Sequence, residues 1–169
     1  MKYSTRKITT LALTVSLALI FSFIESRIPA FVAIPGVKIG LANIAVIFAL
    51  YKLGIKEAVT VSIIRVFLVS ILFGSPISLI YSISGAILSL SVMILLKKLT
   101  PLSEVTVSIS GGIMHNVGQI ATASVMLSTN IVVYYLPFLL LSGTIAGIVV
   151  GTVSAMLIRR IKLEFIVKK

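Results

Sequence analysis

Six apolar runs, separated by short links, take up most of this 169-residue chain. They are Ile8–Ser26, Ile39–Tyr51, Ala58–Phe73, Ile77–Leu96, Val105–Leu127 and Ile131–Ile158. A helix that crosses a bilayer needs about 20 apolar residues, with a range of roughly 17 to 25. The second and third runs are short by that measure. A few flanking residues extend them, and packing beside longer neighbours accommodates the remaining deficit. The sixth is long, and is expected to tilt or to begin with an interfacial turn near Tyr134, Tyr135 and Pro137. With the ends adjusted, the spans are about 8–26, 38–52, 57–74, 77–96, 105–127 and 131–158. Only 11% of the residues are charged and 59% are hydrophobic, whereas a soluble domain carries about 25% charged residues. One small core cannot bury so much apolar surface. The predicted fold class is therefore all-α: a polytopic membrane protein, a bundle of six transmembrane helices forming one domain over 1–169.

The net charge of +11 does not point to nucleic acid, because no basic stripe with interleaved aromatics occurs. The basic residues cluster between the apolar runs instead. With the N terminus in the cytoplasm, twelve of the fifteen fall on the inner side, including Arg6, Lys7, Lys52, Lys56, Lys97, Lys98, Arg159 and Arg160. Only Arg27 and Lys38 fall outside, and Arg65 lies within a span. That bias places both termini in the cytoplasm. The first run is longer than a signal-peptide core and no A-x-A site follows it, so it is expected to stay as a helix. There is no cysteine, which removes disulfides and thiolate metal sites from consideration.

The link "ESRIPAFVAIPGVK" is apolar, external and broken by two prolines. It is either a lid folded back over the bundle or a passive interfacial loop. Small residues recur at four-residue spacing in two places. Gly143, Gly147 and Gly151, continued by Ala155, form a ridge suited to close helix packing inside the bundle. Ala12 with Ser16, and Ala18 with Ser22, form a similar stripe on the first span. That stripe suits internal packing or the docking of another membrane protein.

Polar groups at depth are costly and mark functional positions by default. The stretch "GGIMHNVGQ" holds the only histidine, His115, with Asn116 and Gln119. On a helix these three share one face, which Gly112 and Thr122 extend. They are either ligand contacts or an interhelical hydrogen-bond cluster. Arg65, in "VSIIRVFLV", costs at least ~2.5 kcal/mol at that depth on insertion scales. It must snorkel, pair with a carboxylate such as Glu57 two turns away, or meet an anionic ligand. Asn43 in "GLANIAV" and Tyr81, with Ser82 and Ser84, in "IYSISGA" add polar groups toward the outer side. The candidate substrate-binding set is Asn43, Arg65, Tyr81, His115, Asn116 and Gln119.

Several chemistries are not expected. There is no P-loop, no aspartate at all, and only four glutamates, Glu25, Glu57, Glu104 and Glu164. A metal site, a catalytic triad and a bound cofactor are therefore not expected, and no catalytic residue is assigned.

The segments "PGVKIGLANIAVIFAL", "IIRVFLVSILFG", "YSISGAILS" and "GGIMHNVGQIATA" resemble, in that order, a family of small bacterial membrane proteins. It is called the Gx transporter family or heptaprenyl diphosphate synthase component I. The resemblance covers about 11–160. That family in turn resembles the substrate-binding S components of energy-coupling factor (ECF) transporters. The resemblance implies six helices with cytoplasmic termini, and a small molecule bound on the outer side beneath external loops. It also implies association with a coupling subunit and two ATPases. Ala12 and Ser16 would then correspond to the A-x-x-x-A docking motif of the first helix, with serine in place of the second alanine. Prenyl diphosphate synthases use paired Asp-rich motifs to hold Mg²⁺, and a chain without aspartate lacks them. The expected function is thus a non-enzymatic S component of an ECF-like uptake system, linked to isoprenoid or quinone metabolism. The rivals are a non-catalytic membrane subunit of a polyprenyl diphosphate or quinone pathway, and a stand-alone facilitator. Expected partners are membrane lipid, a small-molecule substrate, and the ECF coupling subunit and ATPases, with no nucleic acid.

Overall fold

A computed structural model describes residues 5–28 and 40–161. The described residues are helical with no strand, and form six α-helices: α1 (Thr5–Arg27), α2 (Asn43–Lys52), α3 (Ile55–Phe73), α4 (Pro76–Leu99), α5 (Glu104–Met126) and α6 (Leu136–Arg160). A 3-10 turn, Ile131–Tyr135, leads into α6, at the place where an interfacial turn was expected. Of the link that could form a lid, Glu25, Ser26, Arg27 and Ile28 fall within the described residues, and 29–38 lie outside them.

Helix boundaries follow local chemistry. Ser75 caps α4 by accepting the Ser78 backbone N–H, Ser78 returns the bond, and Pro76 occupies the first turn where its missing N–H costs nothing. Ser103 caps α5 through the Thr106 N–H. Between α2 and α3 the chain reverses through Leu53 and Gly54. Gly54 has φ +131°, a conformation that other residues adopt only with strain.

Three helical stretches are long and apolar enough to cross a membrane: Thr5–Arg27, Pro76–Leu99 and Ile131–Arg160, with mean hydropathies of 1.9, 2.2 and 2.0. The expectation of six such spans is therefore met in helix number but not in helix character. α2 has only 10 residues and begins at Asn43, four or five residues later than its apolar run. α3 carries Lys56, Glu57 and Arg65 within its 19 residues. α5 is as long as α1, but its polar residues dilute its apolarity. α2 is short but apolar and buried, whereas α3 and α5 turn polar residues such as Ser62, Ser70, Ser108 and Asn116 inward, so apolar character is not required all round them.

The packing reflects that division. α2 is buried from Ile44 to Leu50 and packs on α1, α3 and α6. α5 lies between α4 and α6 and has its most extensive contacts with them. The glycine ridge of α6 makes this possible. A Cβ on Gly147 would lie 2.5 Å from Ile109 Cα, and one on Gly112 would lie 2.5 Å from the Gly143 carbonyl oxygen. Gly143, Gly147 and Gly151 are all buried, as expected of an internal ridge.

Outward faces are apolar. Ile63, Phe67 and Ile71 project from α3, and Leu13, Leu17, Ile20 and Ile24 from α1; Ile71 is 73% exposed. Polar side chains such as Ser62, Ser89, Asn116 and Ser154 are buried instead. Apolar outside and polar inside is an arrangement for lipid, since a water-facing surface does not carry such continuous apolar area.

The helices alternate in direction, which gathers the basic residues at one end. There Lys7 on α1 bridges Glu57 on α3 at 2.5 Å. Lys97 on α4 donates to the Leu50 carbonyl of α2 and lies 4.8 Å from the centre of the Tyr51 ring.

Candidate functional site

A cavity of about 170 Å³ lies mostly away from the basic end, reaching down to Ser108 near the start of α5, and all six helices contribute to its wall. An engineered cavity of ~150 Å³ holds a benzene molecule, so this one has room for a compact solute. Five of the six predicted residues line it: Asn43, Arg65, His115, Asn116 and Gln119. Tyr81 is not among its lining residues; Ser78 and Ser82 line it from α4 instead. Successive helix residues point about 100° apart, so Tyr81 is turned off the face that Ser78 and Ser82 share. Ala12 and Ser16 lie elsewhere, exposed on the outer face of α1, and the Ser16 hydroxyl donates to the Ala12 carbonyl at 3.0 Å. Ala18 and Ser22 are buried, so the small-residue stripe of α1 divides into an inner and an outer part.

Arg65 is the most demanding group in the wall. Its Nε is buried with no hydrogen-bond partner, and among the described residues it forms no ion pair. Pairing with Glu57 is ruled out by geometry: Glu57 is buried at the basic end in its bridge to Lys7. The acid that shares the cavity wall with Arg65 is Glu25 of α1. Glu25 accepts the Gly40 backbone N–H, fixing the carboxylate at the start of the turn into α2.

The polar stripe of α5 divides its work. Asn116 is buried, and its Nδ2 donates to the Leu139 carbonyl of α6 at 2.5 Å, with Ser142 Oγ at 3.5 Å. This is interhelical cohesion at the cavity wall. The His115 ring lies against α4, where a Cβ on Gly85 would be 2.8 Å from its Cε1. Gln119 lines the cavity with its Oε1 buried and unpartnered. Thr122 is satisfied by its own helix, donating to the Gly118 carbonyl at 3.0 Å.

Sequence reasoning named Ser82 as a polar group but left it and the other cavity serines out of the candidate set. Ser22, Ser26, Ser70 and Ser108 join Ser78 and Ser82 around the cavity. Several donate to their own helix, as Ser22 does to the Ala18 carbonyl at 2.9 Å, which is why a single serine carries little signal. The four-residue spacing of Ser22 with Ser26, and of Ser78 with Ser82, was the available clue. Among the described residues no three His, Cys, Asp or Glu side chains gather as a metal site would require.

The model of one protein family, described as heptaprenyl diphosphate synthase component I, matches residues 14–157. The chain belongs to that family. The matched region contains the whole described lining of the cavity, from Ser22 to Val150. It contains Ser16 but begins after Ala12. No match was found among curated proteins or among solved structures.

Proposed function

We propose that this family member is the substrate-binding S component of an ECF-like uptake system, with six helices crossing the plasma membrane and both termini in the cytoplasm. The observation that carries the reading is the cavity. Asn43, Arg65, His115, Asn116 and Gln119 converge on it from α2, α3 and α5, and two of them bring buried polar atoms without partners. Unsatisfied groups at membrane depth are costly unless water or a ligand reaches them. A cavity whose lining lies mostly away from the basic end would face outward under the positive-inside rule, as capture from outside requires. Partner ATPases would supply the energy, since the chain has no phosphate-binding loop. The outer face of Ala12 and Ser16 is the proposed docking surface for the coupling subunit.

The family description favours a second reading: a membrane subunit that works beside a polyprenyl diphosphate synthase. Without aspartate, the chain would be its non-catalytic partner. Purification of the tagged chain from its native membranes, with mass spectrometry of whatever accompanies it, separates the two. A coupling subunit with ATPases is the expected result. A polyprenyl synthase subunit with no ATPase would replace the transport reading with the second one.

A further inference from the structure

Resting on the substrate-binding reading above, we infer that the cavity is built for a compact zwitterion of the amino-acid type: an anionic oxygen group for Arg65, an ammonium for Glu25 and Gln119, and a short hydrocarbon part. Three features of the wall lead there. Arg65 offers a buried Nε–H with no acceptor and has no ion pair among the described residues. A guanidinium only donates, and it pairs best with a planar carboxylate or a similar oxyanion. Gln119 Oε1 is buried with no donor; it can only accept, so its missing partner is an N–H or O–H on the ligand.

Glu25 decides between a plain anion and a dipolar molecule. It lines the same cavity as Arg65. Among the described lining residues these are the acid and the Arg/Lys-type cation, so their formal charges cancel. A simple carboxylate would leave Glu25 as an uncompensated anion in a low-dielectric site, and a diphosphate would add more negative charge than one arginine can offset. A zwitterion gives each protein charge an opposite partner and leaves the site neutral. Val66, Val69, Phe73, Ala146 and Val150 supply an apolar side to the cavity, suited to the hydrocarbon part.

The test uses the full chain in lipid nanodiscs, with binding measured by calorimetry and native mass spectrometry. The probes are leucine, methionine and phenylalanine, the matching carboxylic acids without the amine, the matching amines without the carboxylate, and inorganic diphosphate. At least one amino acid is expected to bind about ten-fold or more tightly than either of its halves. Arg65→Gln should reduce that affinity about ten-fold or more. Glu25→Gln should instead narrow the gap between the amino acid and its amine-free analogue. Gln119→Leu, which removes an unpartnered atom and should fold normally, should weaken the amino acid and the amine but not the carboxylic acid. If a half-molecule or diphosphate binds as tightly as any amino acid, the zwitterion assignment fails. If Arg65→Gln also abolishes that binding, the cavity remains a substrate site for another ligand class. If no probe binds, the assignment fails outright, while co-purification with ATPases still decides the transport reading separately.

Discussion

Neighbouring residues on α5 carry opposite obligations. Asn116 spends its amide nitrogen on the Leu139 carbonyl of α6, whereas Gln119 keeps a buried oxygen without a partner. Their substitutions should therefore diverge. Asn116→Ala removes an interhelical hydrogen bond, while the Leu139 carbonyl keeps the Ser142 hydroxyl as a donor, so it should lower stability by about 0.5–1.5 kcal/mol, read as a drop in melting temperature in detergent. Gln119→Leu should leave the melting temperature unchanged or raised, because an unsatisfied acceptor disappears. Its cost should fall on ligand affinity, about 5- to 150-fold for one lost hydrogen bond. Equal destabilisation by both changes would assign the whole stripe to helix packing. His115 and Gln119 stood out in the sequence, since polar residues in an apolar run announce themselves, and both line the cavity. The partner of Asn116 was not, because a backbone carbonyl 23 residues away carries no sequence signature. Arg65 was legible as an anomaly, but its neighbour was not: Glu57 is close in sequence, yet Lys7 claims it from another helix.

At the scale of elements, the sequence located all six helices and the turn before α6, because apolar runs and their breaks survive any packing arrangement. It did not set their rotation, which depends on which neighbours a helix meets. Tyr81 rather than Ser82 entered the candidate set for that reason. The glycine ridge of α6 was the clearest packing signal, and its stereochemistry yields a prediction. A leucine at Gly147 would drive its Cβ to within 2.5 Å of Ile109 Cα, and backbone cannot yield as a flexible side chain can. Gly147→Leu should cost about 1–3 kcal/mol or more through overpacking, seen as early thermal unfolding. Normal stability with loss only of a partner complex would make the ridge an external surface. Glu57→Gln offers a milder check at the basic end. It removes the negative charge from the bridge to Lys7 while keeping the side-chain shape, so unfolding should become easier without any change at the distant cavity. Altered ligand affinity in that variant would show that the two ends are coupled.

For the whole molecule, the segregation of charge and polarity sets how it sits in lipid. Under the proposed orientation the link at Leu102 lies inside and the link at Asn130 lies outside. Single cysteines introduced by Leu102→Cys and Asn130→Cys should react with a membrane-impermeant reagent in intact cells only at 130. Labelling at 102 alone would invert the bundle and turn the cavity toward the cytoplasm. One feature of the interior bears on how such a bundle is made. α2 has 10 residues, about 15 Å of helix against a hydrocarbon thickness of about 30 Å, and only Leu53 and Gly54 separate it from α3. During synthesis such a helix has little reason to leave the translocon by itself. It should be held until α3 emerges, and the two should pass into the bilayer as a hairpin. A nascent chain arrested once Gly54 has left the ribosome should crosslink from α2 to the translocon, whereas one arrested after Phe73 has emerged should crosslink from α2 to lipid or to α3.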